Sequence, residues 1–169
     1  MLFNSAEFII FFIVVISVII IIKHKNFQHL FIIFASYFFF YFSSNFLLSL
    51  LIFSTLLDYY IAKEIWKTQK NQRKKLLLIT SLAGNLGLLG FFKYADFAIV
   101  QFNFLGNQFN FVDDIPLLEL VLPIGISFYT FQTISYTVDV YRGKLEPSKS
   151  LKEFSLFVAF FPQLVAGPI

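Results

Sequence analysis

Residues 8–22 read FIIFFIVVISVIIII, with Ser17 the single polar side chain. In water so many β-branched residues suggest a strand. In hydrocarbon a lone strand leaves its backbone groups unpaired, so a helix is the inexpensive solution. With Leu2 and Phe3 the run approaches the roughly 20 residues that cross about 30 Å of hydrocarbon. Lys23, His24 and Lys25 end it. The flank before it carries no basic residue and no small-residue cleavage site follows, so the run is expected to persist as a span.

The same pattern repeats outward from this stretch. A second run covers 27–42, a turn of Ser43, Ser44 and Asn45 follows, and a third covers 46–62. Then come Lys63, Glu64, Lys67, Lys70, Arg73, Lys74 and Lys75. A fourth run, 76–92, carries Gly84, Gly87 and Gly90, a spacing read here as a small-residue face for close helix approach. Residues 96–116, with Asp113 and Asp114, read as a polar-aromatic connection. A fifth run covers 117–141, with Pro123 and Gly125 expected to bend or break its first turn. A polar loop at 142–152 leads to a last apolar stretch at 154–165.

Composition agrees. The 169 residues are 58% hydrophobic and 14% charged, with 26 Phe, against about 25% charged in soluble domains. These features predict one all-α, polytopic integral membrane helical bundle with about five to six transmembrane helices. The basic clusters at 23–25, 63–75 and 142–152 are each separated by two runs, so a positive-inside arrangement puts all three in the cytoplasm and the N-terminus outside. Lys93, on the other side, can snorkel. The net charge of +3 therefore does not indicate nucleic acid. The absence of Cys excludes disulfides and thiolate catalysis. No metal-ligand spacing and no Ser–His–Asp grouping occurs.

Few residues suggest chemistry. His24 and His29 flank the first basic turn and read as interfacial polar residues. Asp58 lies inside the third run, where an ionisable side chain is costly and often functional; it can equally be an interfacial acid paired with Lys63 or hydrated. Asp139 and Arg142 are spaced to pair across one helical turn. Gln132, Thr133, Ser135 and Tyr136 make the fifth run polar, which favours a wet cavity or an interhelical contact.

Three segments, GFFKYADF at 90–97, LPIGISFYTFQTISYTVDVYRG at 122–143 and FVAFFPQLVAGPI at 157–169, resemble the membrane-bound O-acyltransferases of bacterial cell-surface polysaccharide modification. The nearest branch contains alginate O-acetyltransferase; the protein for D-alanylation of teichoic acid is more distant. The resemblance implies a bacterial inner-membrane enzyme. It would move an acyl group, expected to be acetyl, from acetyl-CoA or an acyl carrier to a polysaccharide hydroxyl. Other polysaccharide O-acetylation proteins are its expected partners, and no bound cofactor is expected. It makes residues 1–169 the N-terminal part of a larger membrane domain. The family's catalytic His belongs to a region beyond Ile169, and neither His24 nor His29 matches it, so the chain alone is expected to be inactive. Pro123, Gly125, Ser127, Gln132, Tyr136, Pro162, Gln163, Gly167 and Pro168 fall in the matching motifs. With Asp58, Asp139 and Arg142 they are candidates for the wall of a funnel or for helix packing. The alternative is a non-enzymatic small polytopic membrane protein or a decayed gene product.

Overall fold

The computed structural model describes residues 5–44, 47–109, 115–120 and 125–166. Among these the chain is helical, with no strand. The helices are α1 (Ala6–Ile21), α2 (Lys25–Ser44), α3 (Leu48–Lys67), α4 (Asn71–Phe109), α5 (Ile126–Tyr141), α6 (Leu151–Ala159) and α7 (Phe161–Ala166). Two helices, Lys25–Ser44 and Asn71–Gln108, are long and apolar enough to cross a membrane; α1 is as apolar but shorter.

The first run becomes α1 because its termini are satisfied. Ser5 Oγ accepts the Phe8 N–H at 3.2 Å, as a helix N-cap should. At the other end Gln28 Nε2 donates to the carbonyls of Ile19 and Ile22, at 3.1 and 2.8 Å. The side chains of α1 point largely outward, with Ile20 and Ile21 each 75% exposed. Its inner stripe, Phe8, Phe11 and Val15, meets Phe39 of α2 and Phe161 of α7. Ring centroids lie 5.3 Å apart for Phe11–Phe161 and 5.7 Å for Phe39–Phe161.

The central element is α3. It buries Leu51, Ser54, Thr55, Asp58, Tyr59, Ile61, Ala62 and Ile65, which form one broad face of the helix. It packs against α4 and α5, which also pack on each other, and α6 lies against α2 and α3. The larger core joins Leu51, Tyr59 and Ile65 of α3 to Tyr129, Tyr136 and Val140 of α5 and to Phe154 and Val158 of α6.

The structure corrects three boundaries. The fourth run does not stop at residue 92, because α4 continues for 39 residues. At 1.5 Å per residue it is about 58 Å long, nearly twice the hydrocarbon thickness. Its distal polar residues do not break the helix because they hold another segment. Asp96 Oδ1 accepts the Leu118 N–H at 2.8 Å and Oδ2 accepts that of Leu120 at 3.3 Å. Asn103 exchanges two hydrogen bonds with the backbone of Ile115, at 2.8 and 2.9 Å. Residues 115–120 thus run as non-helical chain beside α4, and α5 begins only at Ile126. Gly125 precedes α5 with φ 73°, a left-handed conformation that favours glycine. Asn45, Asp113, Asp114 and Pro123 lie outside the described residues. The last apolar stretch divides at Phe160 into α6 and α7, because Pro162 cannot donate to residue 158 and its ring would clash there.

The glycine face is also corrected. A Cβ on Gly84 would lie 2.7 Å from Leu57 Cδ2, so this position does meet α3. Gly87 and Gly90 face open space. A spacing of three falls about 60° short of a full turn at each step, so the three glycines spiral away from the contact.

Two contacts gather the basic clusters at one end. Lys63 Nζ reaches the carbonyl of Lys149 at 3.5 Å, and Lys152 Nζ donates to Asn26 Oδ1 at 2.9 Å. The first turn, the end of α3 and the loop before α6 therefore lie together. Glu64 forms ion pairs with Lys67 and Arg73, both at 3.6 Å, each exposed and so worth under about 1 kcal/mol.

Candidate functional site

Three helices contribute a pair of polar residues four apart: Ser54 and Asp58 on α3, Ser81 and Asn85 on α4, Thr133 and Thr137 on α5. A spacing of four stacks two side chains on one face. All six are buried, and Asp58, Ser81, Thr133 and Thr137 are 0% exposed. Asp58 is the hub. Ser81 Oγ donates to its Oδ1, Thr137 Oγ1 donates to the same oxygen at 3.1 Å, and Asn85 Nδ2 donates to Oδ2 at 2.8 Å. Ser54 Oγ donates to Asn85 Oδ1, which fixes the amide, and Asn85 Nδ2 also reaches Ser81 O at 3.0 Å. The carboxylate has no cation partner among the described residues. Lys63, the partner considered from the sequence, instead donates to the Tyr59 hydroxyl and lies 4.3 Å from that ring's centroid. Asp58 is thus a deeply buried acid satisfied by hydroxyls and an amide, and it joins the α3–α4–α5 core.

The opposite face of α5 lines a cleft of about 590 Å³. Its walls are Ser127, Phe128, Phe131, Gln132 and Ser135, with Gln163 from α7. The polar stripe of the fifth run therefore divides: Gln132 and Ser135 turn to this cleft, while Thr133 and Tyr136 turn to the core. Gln132 Nε2 donates to the carbonyl of Phe157 at 2.9 Å, and its Oε1 is buried without a donor among the described residues. Tyr129, one turn back, buries its hydroxyl without a partner among the described residues, and its ring meets that of Phe40 edge-on at 6.2 Å.

A second cleft, of about 340 Å³, opens at the basic end. Its floor is an aromatic group in which Tyr136 and Phe154 lie 4.5 Å apart and Phe157 lies 6.1 Å from Phe154. Glu146, Ser148 and Glu153 complete the wall. The Tyr136 hydroxyl accepts the Ser148 N–H at 2.9 Å, which ties the loop to α5.

The remaining candidates are dispersed. Asp139 and Arg142 form no ion pair, correcting the pairing expected from their spacing; the Asp139 carbonyl accepts from Lys144 N at 2.9 Å, and the Arg142 N–H returns to Val138 O. Pro162 sits in the first turn of α7, and Gly125 serves as the N-cap of α5. Gly167 and Pro168 lie outside the described residues. His24 is exposed, with its ring 6.3 Å from Phe27, and His29 is half-buried on α2. Neither histidine lines either of these two clefts, and no group of three potential metal ligands occurs among the described residues. Sequence reading found Asp58 but missed Ser54, Ser81, Asn85 and Thr137; the repeated polar pair at a spacing of four was the signal.

Comparison with known proteins gives a consistent set of relatives. A peptidoglycan O-acetyltransferase of Helicobacter pylori is 38% identical over 71% of this chain and 26% of its own length. A probable alginate O-acetylase of Pseudomonas aeruginosa is 41% identical over 71% of this chain and 24% of its own. That of Pseudomonas fluorescens is 55% identical over 31% of this chain and 11% of its own. The chain thus spans about a quarter of the length of the first two relatives. No protein-family model and no solved structure matches it.

Proposed function

The chain is a homologue of the bacterial alginate and peptidoglycan O-acetylases, in the membrane-bound O-acyltransferase family, and we propose that it serves acetyl transfer to hydroxyls of a cell-surface polysaccharide. The single observation that carries this reading is the 38–41% identity to relatives named for that reaction.

In this reading the chain is a multi-pass inner-membrane protein with its N-terminus outside. The gathering of three basic clusters at one end supports that placement, since a common side is what the positive-inside bias requires. So does the outward Ile and Phe coat of α1 and α2. Acetyl-CoA or an acyl carrier is the donor. Ser127, Gln132, Ser135 and Gln163 form part of the wall along which substrates pass, and the Asp58 cluster holds that wall's helix in register. A fixed amide and hydroxyls in a largely apolar cleft suit a substrate that carries hydrogen-bonding groups on an apolar or extended body. Proton transfer from the attacking hydroxyl needs a base within hydrogen-bond reach of it, and neither His24 nor His29 is placed for this role.

The test is base-labile acetate on the cell-surface polysaccharide. In the native cell, H24A/H29A should leave it unchanged and Q132A should lower it. Loss of acetate in H24A/H29A with normal protein levels would overturn the reading.

A further inference from the structure

We propose that Asp58 and the buried hydroxyls around it form a sodium site, in which one small monovalent cation is held between the carboxylate and oxygens of α4 and α5. The proposal rests on burial and on the donor set, and it does not draw on the acyl-transfer reading.

The first observation is an uncompensated charge. Asp58 is 0% exposed, and the three groups that donate to it, Ser81, Asn85 and Thr137, are neutral. Such donors satisfy lone pairs but cancel no charge, and a buried charge is ordinarily paired or bound to a metal ion. No basic side chain among the described residues pairs with Asp58. Lys63, the base nearest in sequence, is engaged with Tyr59 and the Lys149 carbonyl.

The second observation is the way the surrounding oxygens face. Thr133 donates its hydroxyl hydrogen to the Thr130 carbonyl at 3.1 Å. The same hydroxyl lies within hydrogen-bonding reach of the Asp58 carboxylate. Oxygen therefore faces oxygen with no hydrogen between them, an arrangement that repels unless a cation stands there. Ser81 and Thr137 can turn in the same way. Hydroxyls in this fold already return to the carbonyl four residues back, as Thr55 does to Leu51 and Thr80 to Leu76. That turn by Ser81 and Thr137 moves each hydrogen to its own helix and frees an oxygen lone pair for the ion. Asn85, whose amide is fixed by Ser54, keeps its bond to Oδ2 and sets the direction of the carboxylate.

Carboxylate and hydroxyl oxygens suit a hard cation. One carboxylate balances one positive charge, and no second acid joins this cluster among the described residues, so a monovalent ion is favoured over calcium or magnesium. The oxygens already stand close, with Thr137 Oγ1 3.1 Å from Oδ1, and a cage of that size suits sodium better than the larger potassium.

The experiment melts the whole chain in detergent micelles at constant ionic strength, with sodium, potassium or choline as the only added cation. Fluorescence of Trp66, the single tryptophan, follows unfolding. Sodium at ten times its half-saturating concentration should raise the melting temperature by about 4 °C over choline, and potassium should do markedly less. Asp58→Asn should abolish the response. Thr133→Val keeps the side-chain shape and spares the acid; it should raise the half-saturating sodium concentration about tenfold, the effect of losing roughly one hydrogen-bond-sized contact. Equal responses to sodium and potassium, no response in the parent chain, or a parental response in either variant would overturn the proposal. So would a melting temperature that follows pH and ignores sodium, which would give the carboxyl a proton in place of the ion.

Discussion

Replacing Asp58 by alanine should loosen the association of α3, α4 and α5. The substitution removes the acceptor for Ser81, Asn85 and Thr137, so two buried hydroxyls and one of the two Asn85 amide hydrogens lose their partner while Asn85 keeps its bond to Ser81 O. Side-chain hydrogen bonds between membrane helices average about 0.6 kcal/mol and reach about 1.7. Three of them give about 2 kcal/mol, with an upper bound near 5. Asp58→Asn separates the contributions. It keeps the volume and one acceptor, but turns an NH2 group toward the Asn85 amide, so one bond is lost and two donors face each other; about 1–2 kcal/mol is expected. Reversible unfolding in mixed bicelles, followed by far-ultraviolet circular dichroism, reads both variants. Ser81→Ala supplies the third corner of a double-mutant cycle, and its effect should shrink by at least half in the Asp58→Ala background. If Asp58→Ala unfolds within about 0.5 kcal/mol of the parent, or if the Ser81 and Asp58 effects simply add, the buried cluster is not what joins these helices.

Other expectations follow from single positions. Gly87→Ala should stabilise by about 0.5–1 kcal/mol, the helix-propensity gain at an open site, whereas Gly84→Ala should gain less because Leu57 must swing aside; the same unfolding assay compares them. Asp96→Ala with Asn103→Ala should release residues 115–120, seen as faster amide exchange at Ile115, Leu118 and Leu120. Gln132→Leu removes the bond to the Phe157 carbonyl together with an acceptor that has no donor among the described residues; the two effects offset, so it should fold with little change in stability yet lower base-labile acetate in the native cell.

The helices were legible in the sequence because uncharged runs between basic turns admit few other solutions in lipid. Asp58 was legible as a costly buried acid. Its partners were not, because Ser81, Asn85 and Thr137 lie 23, 27 and 79 residues away, Ser81 and Asn85 within a mostly apolar run and Thr137 among the other polar residues of the fifth run. Averaging hydropathy along the chain removes such residues, whereas comparing runs for polar pairs at a spacing of four would have found them. The length of α4 was misread for a related reason. Asp96 and Asn103 look like loop residues, but they remain helical by hydrogen-bonding a segment that lies 12 to 24 residues further on. Asp139 and Arg142 show the converse failure. Their spacing allows a pair and the Arg142 N–H still bonds Val138 O as in a helix, yet the two side chains form no ion pair, so spacing alone does not decide pairing.

The proposed topology requires all three basic clusters to lie on one side of a membrane. The chain contains no cysteine, so single cysteines can be placed without background at Lys23, Lys67 and Lys144, and at Glu7 near the opposite end. In intact cells a membrane-impermeant maleimide should label Glu7→Cys and spare the other three, which should react only after permeabilisation. Labelling of Lys67→Cys from outside while Lys23→Cys and Lys144→Cys remain protected would contradict the arrangement.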